Sequence, residues 1–142
     1  MRDKCRLPGG EPGPEDVIAA IFKLKTIAVV GCSPKEHRPS HYVSTFLKER
    51  GYRIIPVNPG HREILGEKCY PSLSAIPERV DVVDVFRRPE EVLSVILEAV
   101  KIGAKALWLQ DGITHPEGEA LARSKGLLVV SDDCMLRRAP RG

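Results

Sequence analysis

Aromatic residues are scarce: one Trp, three Tyr and three Phe make up 5% of the 142 residues. A surface that reads single-stranded nucleic acid by stacking needs more of them, and a net charge of +3 is too mild to track a phosphate backbone. Nucleic acid is therefore not the expected partner. No apolar run approaches the roughly 20 residues that cross a bilayer, and the first residues lack the uninterrupted apolar core of a secretory signal. A cytoplasmic protein with no membrane partner is expected. The four cysteines, Cys5, Cys32, Cys69 and Cys134, show no C-x-x-C spacing, which sets aside zinc and a disulfide framework and leaves reduced thiols. Asp132 and Asp133 read as a solvated turn or helix cap, and no metal is expected.

What remains is ordinary globular chemistry, 42% apolar and 29% charged, in a length that suits one domain with one core. Its most informative stretch is Thr26 to Ser40. Residues 27–30 are short, branched and continuous, as in a strand buried on both faces, and Gly31 permits the sharp exit that a side chain would obstruct. The polar loop that follows leads to Ser40 and a helix running to about Arg50, whose N-terminal N–H groups and positive dipole end would face an anion in the loop. A dinucleotide fingerprint, G-x-G-x-x-G, fails here, because Ser33 and Glu36 stand where its second and third glycines belong. The acidic residue that holds the ribose of NAD is missing too: the second strand ends in Val57-Asn58-Pro59-Gly60. A nucleotide-like site with a stiffer loop is left, and Lys35, His37 and Arg38 in it favour additional phosphate.

Taken in order, residues 1–13 form a Pro/Gly-rich leader expected to be flexible, 14–136 the domain, and 137–142 a basic tail expected to fray. A helix starts at Pro14, with Val17, Ile18, Ile21 and Phe22 on one face. The second strand covers Arg53 to Val57, with Pro56 predicting an edge position or an irregular end. Residues 61–80 hold only a short extended piece near Glu67 to Tyr70 and a helical turn or two over 72–76. The third strand is Asp81 to Phe86, with Asp84 its odd polar member. A helix from Pro89 to Gly103, a strand over 104–109, a helix over 116–125 and a strand over 127–130 complete the pattern. Strand and helix alternate, which predicts an α/β Rossmann-like doubly wound parallel sheet of about five strands, in the order 3-2-1-4-5, with helices on both faces. The ligand then belongs at the carboxyl ends of the strands.

Arg87-Arg88-Pro89 follows the third strand. A basic pair before a helix is usually a solvated loop, but at this end of a sheet two guanidiniums can fork a phosphate, and an anion there relieves the conflict between their charge and the helix dipole. Gln110 and the backbone around Gly112, after the fourth strand, are placed to bond an amide-bearing ligand. Lone cysteines are more often inert than nucleophilic, so a hydrolase is not favoured.

Five motifs in order, VVGCSPKEHRPS, IIPVNPG, ILGEKCYPSLSAIP, VDVVDVFRRPEEV and GAKALWLQDGI, resemble the small CoA-binding domain proteins, which are similar to the CoA-binding domain of the succinyl-CoA synthetase α subunit. The resemblance covers about residues 17–136. It implies coenzyme A across the carboxyl end of the sheet, with Gly31, Cys32, Ser33, Arg38 and Ser40 near the phosphates and Asn58 and Pro59 beside the adenosine. It further implies Phe86, Arg87 and Arg88 near adenine and its phosphates, with Gln110 and Gly112 along the pantetheine. The phosphohistidine and nucleotide-grasp parts of the synthetase are missing from this chain, so no ligase activity and no catalytic residue is expected of it. Two functions stay open: noncovalent binding of CoA or an acyl-CoA as a carrier, sensor or accessory subunit, with a protein partner or a second copy, and an NAD(P)-linked or thiol-dependent acyl-transfer enzyme using Cys134.

Overall fold

The computed structural model describes residues 13–140. Helix α1 (Pro14–Phe22) leads into β1 (Thr26–Val30), α2 (Pro39–Glu49) and β2 (Arg53–Val57). A small antiparallel hairpin, β3 (Glu63–Ile64) and β4 (Glu67–Lys68), and a single 3-10 turn at Leu73–Ala75 come next. The chain finishes with β5 (Val82–Val85), α3 (Pro89–Lys101), β6 (Ala106–Leu109), α4 (Pro116–Ser124), β7 (Leu128–Val130) and α5 (Met135–Arg138). The five longer-range strands form one parallel sheet in the order β2-β1-β5-β6-β7.

The α/β class, the parallel sheet and the reversal beside the first strand are as the alternation of elements predicts. Counted along the chain, however, the five strands lie 2-1-3-4-5: the third pairs with the first through Ile27–Val82 to Val30–Val85. The position beyond the second strand, where the order 3-2-1-4-5 places a strand, holds only the bridge of Tyr70 to Val57. The physical reason is composition. Residues 58–80 contain no continuous apolar run, so nothing there can fill a buried strand, and the hairpin and 3-10 turn replace a full crossover.

Period-two alternation divides the sheet into two dry faces. Ala28, Val30, Val83, Val85, Leu107 and Leu109 face Val92, Ile96 and Ala99 of α3 and Ala122 of α4. Ile27, Val29, Ile54, Val82, Ala106 and Trp108 face Ile18, Ile21 and Phe22 of α1, Val43 and Leu47 of α2, and Met135 of α5. The change of face between α2 and α3 is the structural meaning of the reversal: crossovers leave β1 in one direction and β5 in the other.

Pro56 sits in regular register opposite Val29, with no kink. Arg53 N–H donates to the Lys25 carbonyl, so the odd positions of β2 face β1 and the nitrogen of Pro56 points to the outer edge, where a missing donor costs nothing. Of the basic tail 137–142 expected to fray, residues 141–142 lie outside the described residues, and Arg137 and Arg138 instead close a short helix. Met135 is fully buried, Arg137 pairs with Asp111 and Asp133, and Arg138 pairs with Asp133 and Glu15. Ion pairs to residues remote in sequence hold this end, and local periodicity carries no trace of them.

Trp108 anchors the α1 face: it is fully buried, meets Phe22 edge-on with centroids 5.6 Å apart, and its Nε1–H donates to the Asp133 carbonyl at 2.9 Å. Trp108→Ala should lower the unfolding free energy by about 3–5 kcal/mol in a denaturant titration, while Leu136→Ala, half-exposed on α5, should change it by well under about 1 kcal/mol.

Candidate functional site

β1 ends at Gly31, and the geometry there tolerates nothing larger. Gly31 has φ +87°, and a Cβ on it would lie 2.2 Å from the Phe86 carbonyl oxygen. Its own N–H donates to the Val57 carbonyl and the Phe86 N–H donates to that of Val30, so the ends of β2, β1 and β5 are bound side by side at one level. Above this row opens a cleft of about 400 Å³, walled by Ser33 to Lys35 of the loop, Arg38 to Ser40 at the start of α2, Asn58 and His61 after β2, and Phe86 after β5. No carboxylate lines it.

The loop is built from short polar bonds. Ser33 N–H donates to Ser40 Oγ at 2.9 Å, Lys35 N–H donates to Ser33 Oγ at 3.0 Å, and His41 Nδ1 stands 2.9 Å from the Ser33 carbonyl, which can only accept. Asn58 fastens the loop to β2: its Nδ2 donates to the Cys32 carbonyl at 2.9 Å while its Oδ1 accepts from Gly60 N–H at 3.2 Å. Asn58 thus ties the backbone at the position where an NAD site carries an acid.

The two helices that flank the reversal begin alike. α2 has Arg38 at its N-cap and Pro39 in its first turn, α3 has Arg88 and Pro89, and neither N-cap side chain bonds the helix. By contrast, α1 is closed by Asp16 bonding Gly13 N–H, and α4 by His115, whose Nδ1 accepts from Gly118 N–H. The N-terminus of α2 therefore keeps its positive dipole end beside an arginine, whereas Glu90 and Glu91 in the first turn of α3 offset part of the charge there.

Of the twelve residues singled out from the sequence, Gly31, Ser33, Arg38, Ser40, Asn58 and Phe86 line this one cleft. Arg87 lies against Gly31, its Cδ 3.4 Å from where a Cβ would stand, and ion-pairs loosely with Glu91 at 3.6 Å. Arg88 shares Glu91, and its side chain is 78% exposed. Pro59 adjoins the cleft in sequence without lining it. Gln110 lies level with Phe86 one strand further on, its N–H donating to the Val85 carbonyl. Gly112 and its loop are clamped by the segment after β7: Gly112 N–H donates to Asp132 Oδ1 at 2.7 Å, and Arg137 grips Asp111. His61 was not foreseen; it reaches the cleft because the Asn58 carbonyl accepts its N–H in a tight turn.

The thiols fit a structural role. Cys32 is fully buried under the loop, and burial pushes its thiol up to about 12, far from a thiolate at neutral pH. Burial raises Cys69 as well. Cys134 is half-buried at the start of α5, packed on the α1 face of the sheet. Among the described residues no cluster of three or more His, Cys, Asp or Glu could hold a metal, and Asp132 and Asp133 are engaged by Gly112, Arg137 and Arg138.

Asp84 is the one carboxyl sealed inside the sheet. It is fully buried, its Oδ1 accepts from Gln110 Nε2 at 2.5 Å, and its Oδ2 has no partner. Burial pushes it up from 3.8 to about 7, against the smaller pull of the Gln110 bond. The folded chain therefore holds this proton to higher pH than the unfolded chain, so its contribution falls from about pH 4 to about pH 7 and is flat above. Asp84→Asn, neutral throughout, should gain on the wild type by a few kcal/mol across that window when unfolding is measured at both ends.

Residues 25–140 match the family described as CoA binding domain. The chain is 38% identical over 124 residues to the uncharacterized protein YneT of Bacillus subtilis, covering 87% of this chain and 92% of that one. It is 28% identical over 125 residues to the ADP-forming acetate–CoA ligase I of Archaeoglobus fulgidus, covering 81% of this chain but only 18% of that enzyme. Among solved structures, a hypothetical protein from Pyrococcus horikoshii superposes with a TM-score of 0.85 at 38% identity, covering 93% and 96% of the two chains. A dinucleotide-forming acetyl-coenzyme A synthetase from Ca. Korarchaeum cryptofilum, in complex with phosphate and ADP, gives 0.71 at 29% identity, with 81% of this chain and 27% of that one covered. By the match over most of its length, this chain belongs to the CoA binding domain family.

Proposed function

We propose that the protein binds coenzyme A or an acyl-CoA noncovalently in the cleft above Gly31, as a carrier, sensor or accessory subunit rather than as an enzyme in its own right. The observation that carries this reading is the pair of helix starts, Arg38-Pro39 and Arg88-Pro89, on the two sides of the reversal. At α2 the guanidinium stands beside the positive end of a dipole with no acidic residue in the first turn. At α3, Glu90 and Glu91 offset part of that charge while Glu91 holds Arg87 and Arg88 loosely at 3.6 Å, a contact that a bound anion can replace. Two such ends suit a ligand with phosphates at more than one place, and coenzyme A carries a pyrophosphate and a separate ribose phosphate. Ser33, Lys35, Arg38 and Ser40 then serve the pyrophosphate, Arg87 and Arg88 the ribose phosphate, and Asn58, Pro59 and Phe86 the adenosine. Gln110 and Gly112 serve the arm. Cys32 supports the loop from beneath and touches no ligand.

The thiol-transfer alternative loses support from the same geometry. A thiol as buried and as hard to ionise as Cys32 is no nucleophile, and Cys134, at the start of the α5 helix that packs on the α1 face of the sheet, does not line the cleft. An NAD(P)-linked reaction would need a ribose anchor at the place where Asn58 is spent on Cys32 and Gly60.

Two measurements test the proposal. Coenzyme A at a hundredfold excess over its dissociation constant should stabilise the fold by about 2.7 kcal/mol in thermal unfolding, and no shift at millimolar concentration would overturn the reading. Dephospho-CoA should bind more weakly than CoA, and Arg87→Ala should shrink that difference. Equal affinities for the two ligands would remove Arg87 and Arg88 from the ribose phosphate.

A further inference from the structure

Gln110 is 4% exposed and lies on the sheet face that carries Asp84 and Trp108, one residue beyond the end of β6. Its amide has two ends of opposite character. The nitrogen end is taken inward, Nε2 donating to Asp84 Oδ1. Its carbonyl oxygen has no protein partner, yet the only sealed and unsatisfied side-chain atom among the described residues is Asp84 Oδ2. Gln110 Oε1 is therefore what the residue offers to solvent, at the level of Phe86 and Gly31 on the ligand-facing end of the sheet. Left unanchored, a glutamine amide presents donor and acceptor about equally, because turning it over costs little.

From this we infer that Asp84 is a positioning residue that makes the end of β6, beside the cleft, selective for a hydrogen-bond donor. By holding the Gln110 amide by its nitrogen, it fixes an acceptor at the mouth of β5 and β6. The group that fits an acceptor there is an amide N–H or a thiol, and a phosphate or carboxylate is repelled. This inference rests on the proposed CoA site, and within that ligand it selects the pantetheine arm, whose amides carry N–H groups, over the phosphates. The loop behind Gln110 is rigid enough to make the selection hold: Ile113 N–H donates to the Gln110 carbonyl, Asp132 N–H to that of Ile113, and Arg137 braces Asp111. Asp132 holds a left-handed φ of +54°, kept by its bond from Gly112 N–H. Asp84 thus acts through Gln110 and touches no ligand itself.

The test compares CoA with adenosine 3′,5′-bisphosphate, which keeps the ribose phosphate and loses the arm, by calorimetric titration of the full chain. Asp84→Leu and Gln110→Ala should each weaken CoA about tenfold and leave the bisphosphate within about twofold. The double variant should be no weaker than either single one, because the two residues work as a unit. If Asp84→Leu does not fold, Asp84→Asn takes its place: its amide pairs with Gln110 in either sense, so CoA should weaken about threefold with the bisphosphate unchanged. Unchanged CoA affinity, equal losses on both ligands, or additive losses in the double variant would overturn the inference while leaving CoA binding intact. Failure of the wild type to bind CoA would remove the proposed site and this inference with it.

Discussion

A parallel sheet whose crossovers leave two neighbouring strands in opposite directions cannot cover the gap between them, and everything at the functional end of this molecule depends on that gap. The connection from β1 runs over one face and that from β5 over the other, so α2 and α3 diverge and their N-termini stand free on either side. Two of the other helices have a side-chain bond at their start, from Gly13 N–H to Asp16 in α1 and from Gly118 N–H to His115 in α4, while the short α5 has no side-chain cap. At the reversal the chain instead sets Arg38 and Arg88, and of the two only Arg88 has acidic residues, Glu90 and Glu91, in the helix turn that follows. The arrangement at α2 costs stability in the free protein, and local rule-breaking of this kind is what binding sites characteristically carry.

The rest of the sheet end serves to keep the gap open and stiff. Asn58 spends both ends of its amide on backbone, one on the loop and one on its own turn. Ser40 closes the loop from the helix side, and Ser44 donates to the Ser40 carbonyl one turn below. On the far side, the segment after β7 reaches back through Asp132, Asp133 and Arg137 to fix the loop after β6. Beneath them all lies Asp84, a carboxyl in a layer otherwise made of Val29, Trp108 and Val82. A buried acid costs free energy unless its oxygens are hydrogen-bonded, and here only one of the two is, by Gln110.

Much of this was legible in the chain itself, for a physical reason. The runs Ile27 to Val30, Val82 to Val85 and Ala106 to Leu109 are buried on both faces, and short segments that are apolar throughout, or apolar but for Asp84, have few other structures open to them. The Gly31 loop and Arg87 could be placed because a parallel sheet aligns its carboxyl ends. What could not be read depended on register or on distance along the chain. The third strand of the main sheet lies on the inner side of β1 while residues 58–80 form only a separate two-stranded hairpin, and an absence of pattern is a weak signal. Met135 to Arg138 forms a helix because Asp111, Asp133 and Glu15 meet its arginines. Asp84 was visible as an odd polar residue, but its pairing with Gln110, 26 residues away, follows from the alignment of β5 with β6.

The close approach at Gly31 has a further consequence for how such a site can change over time. The obstacle to any larger residue there is the peptide oxygen of Phe86 and not its ring. Every amino acid brings that same oxygen, so no second substitution at position 86 can make room for a first one at 31. A tight contact between two side chains drifts by paired exchanges, one shrinking as the other grows. A contact with the main chain has no such path, and the bend after β1 can be lost only together with the cleft it forms.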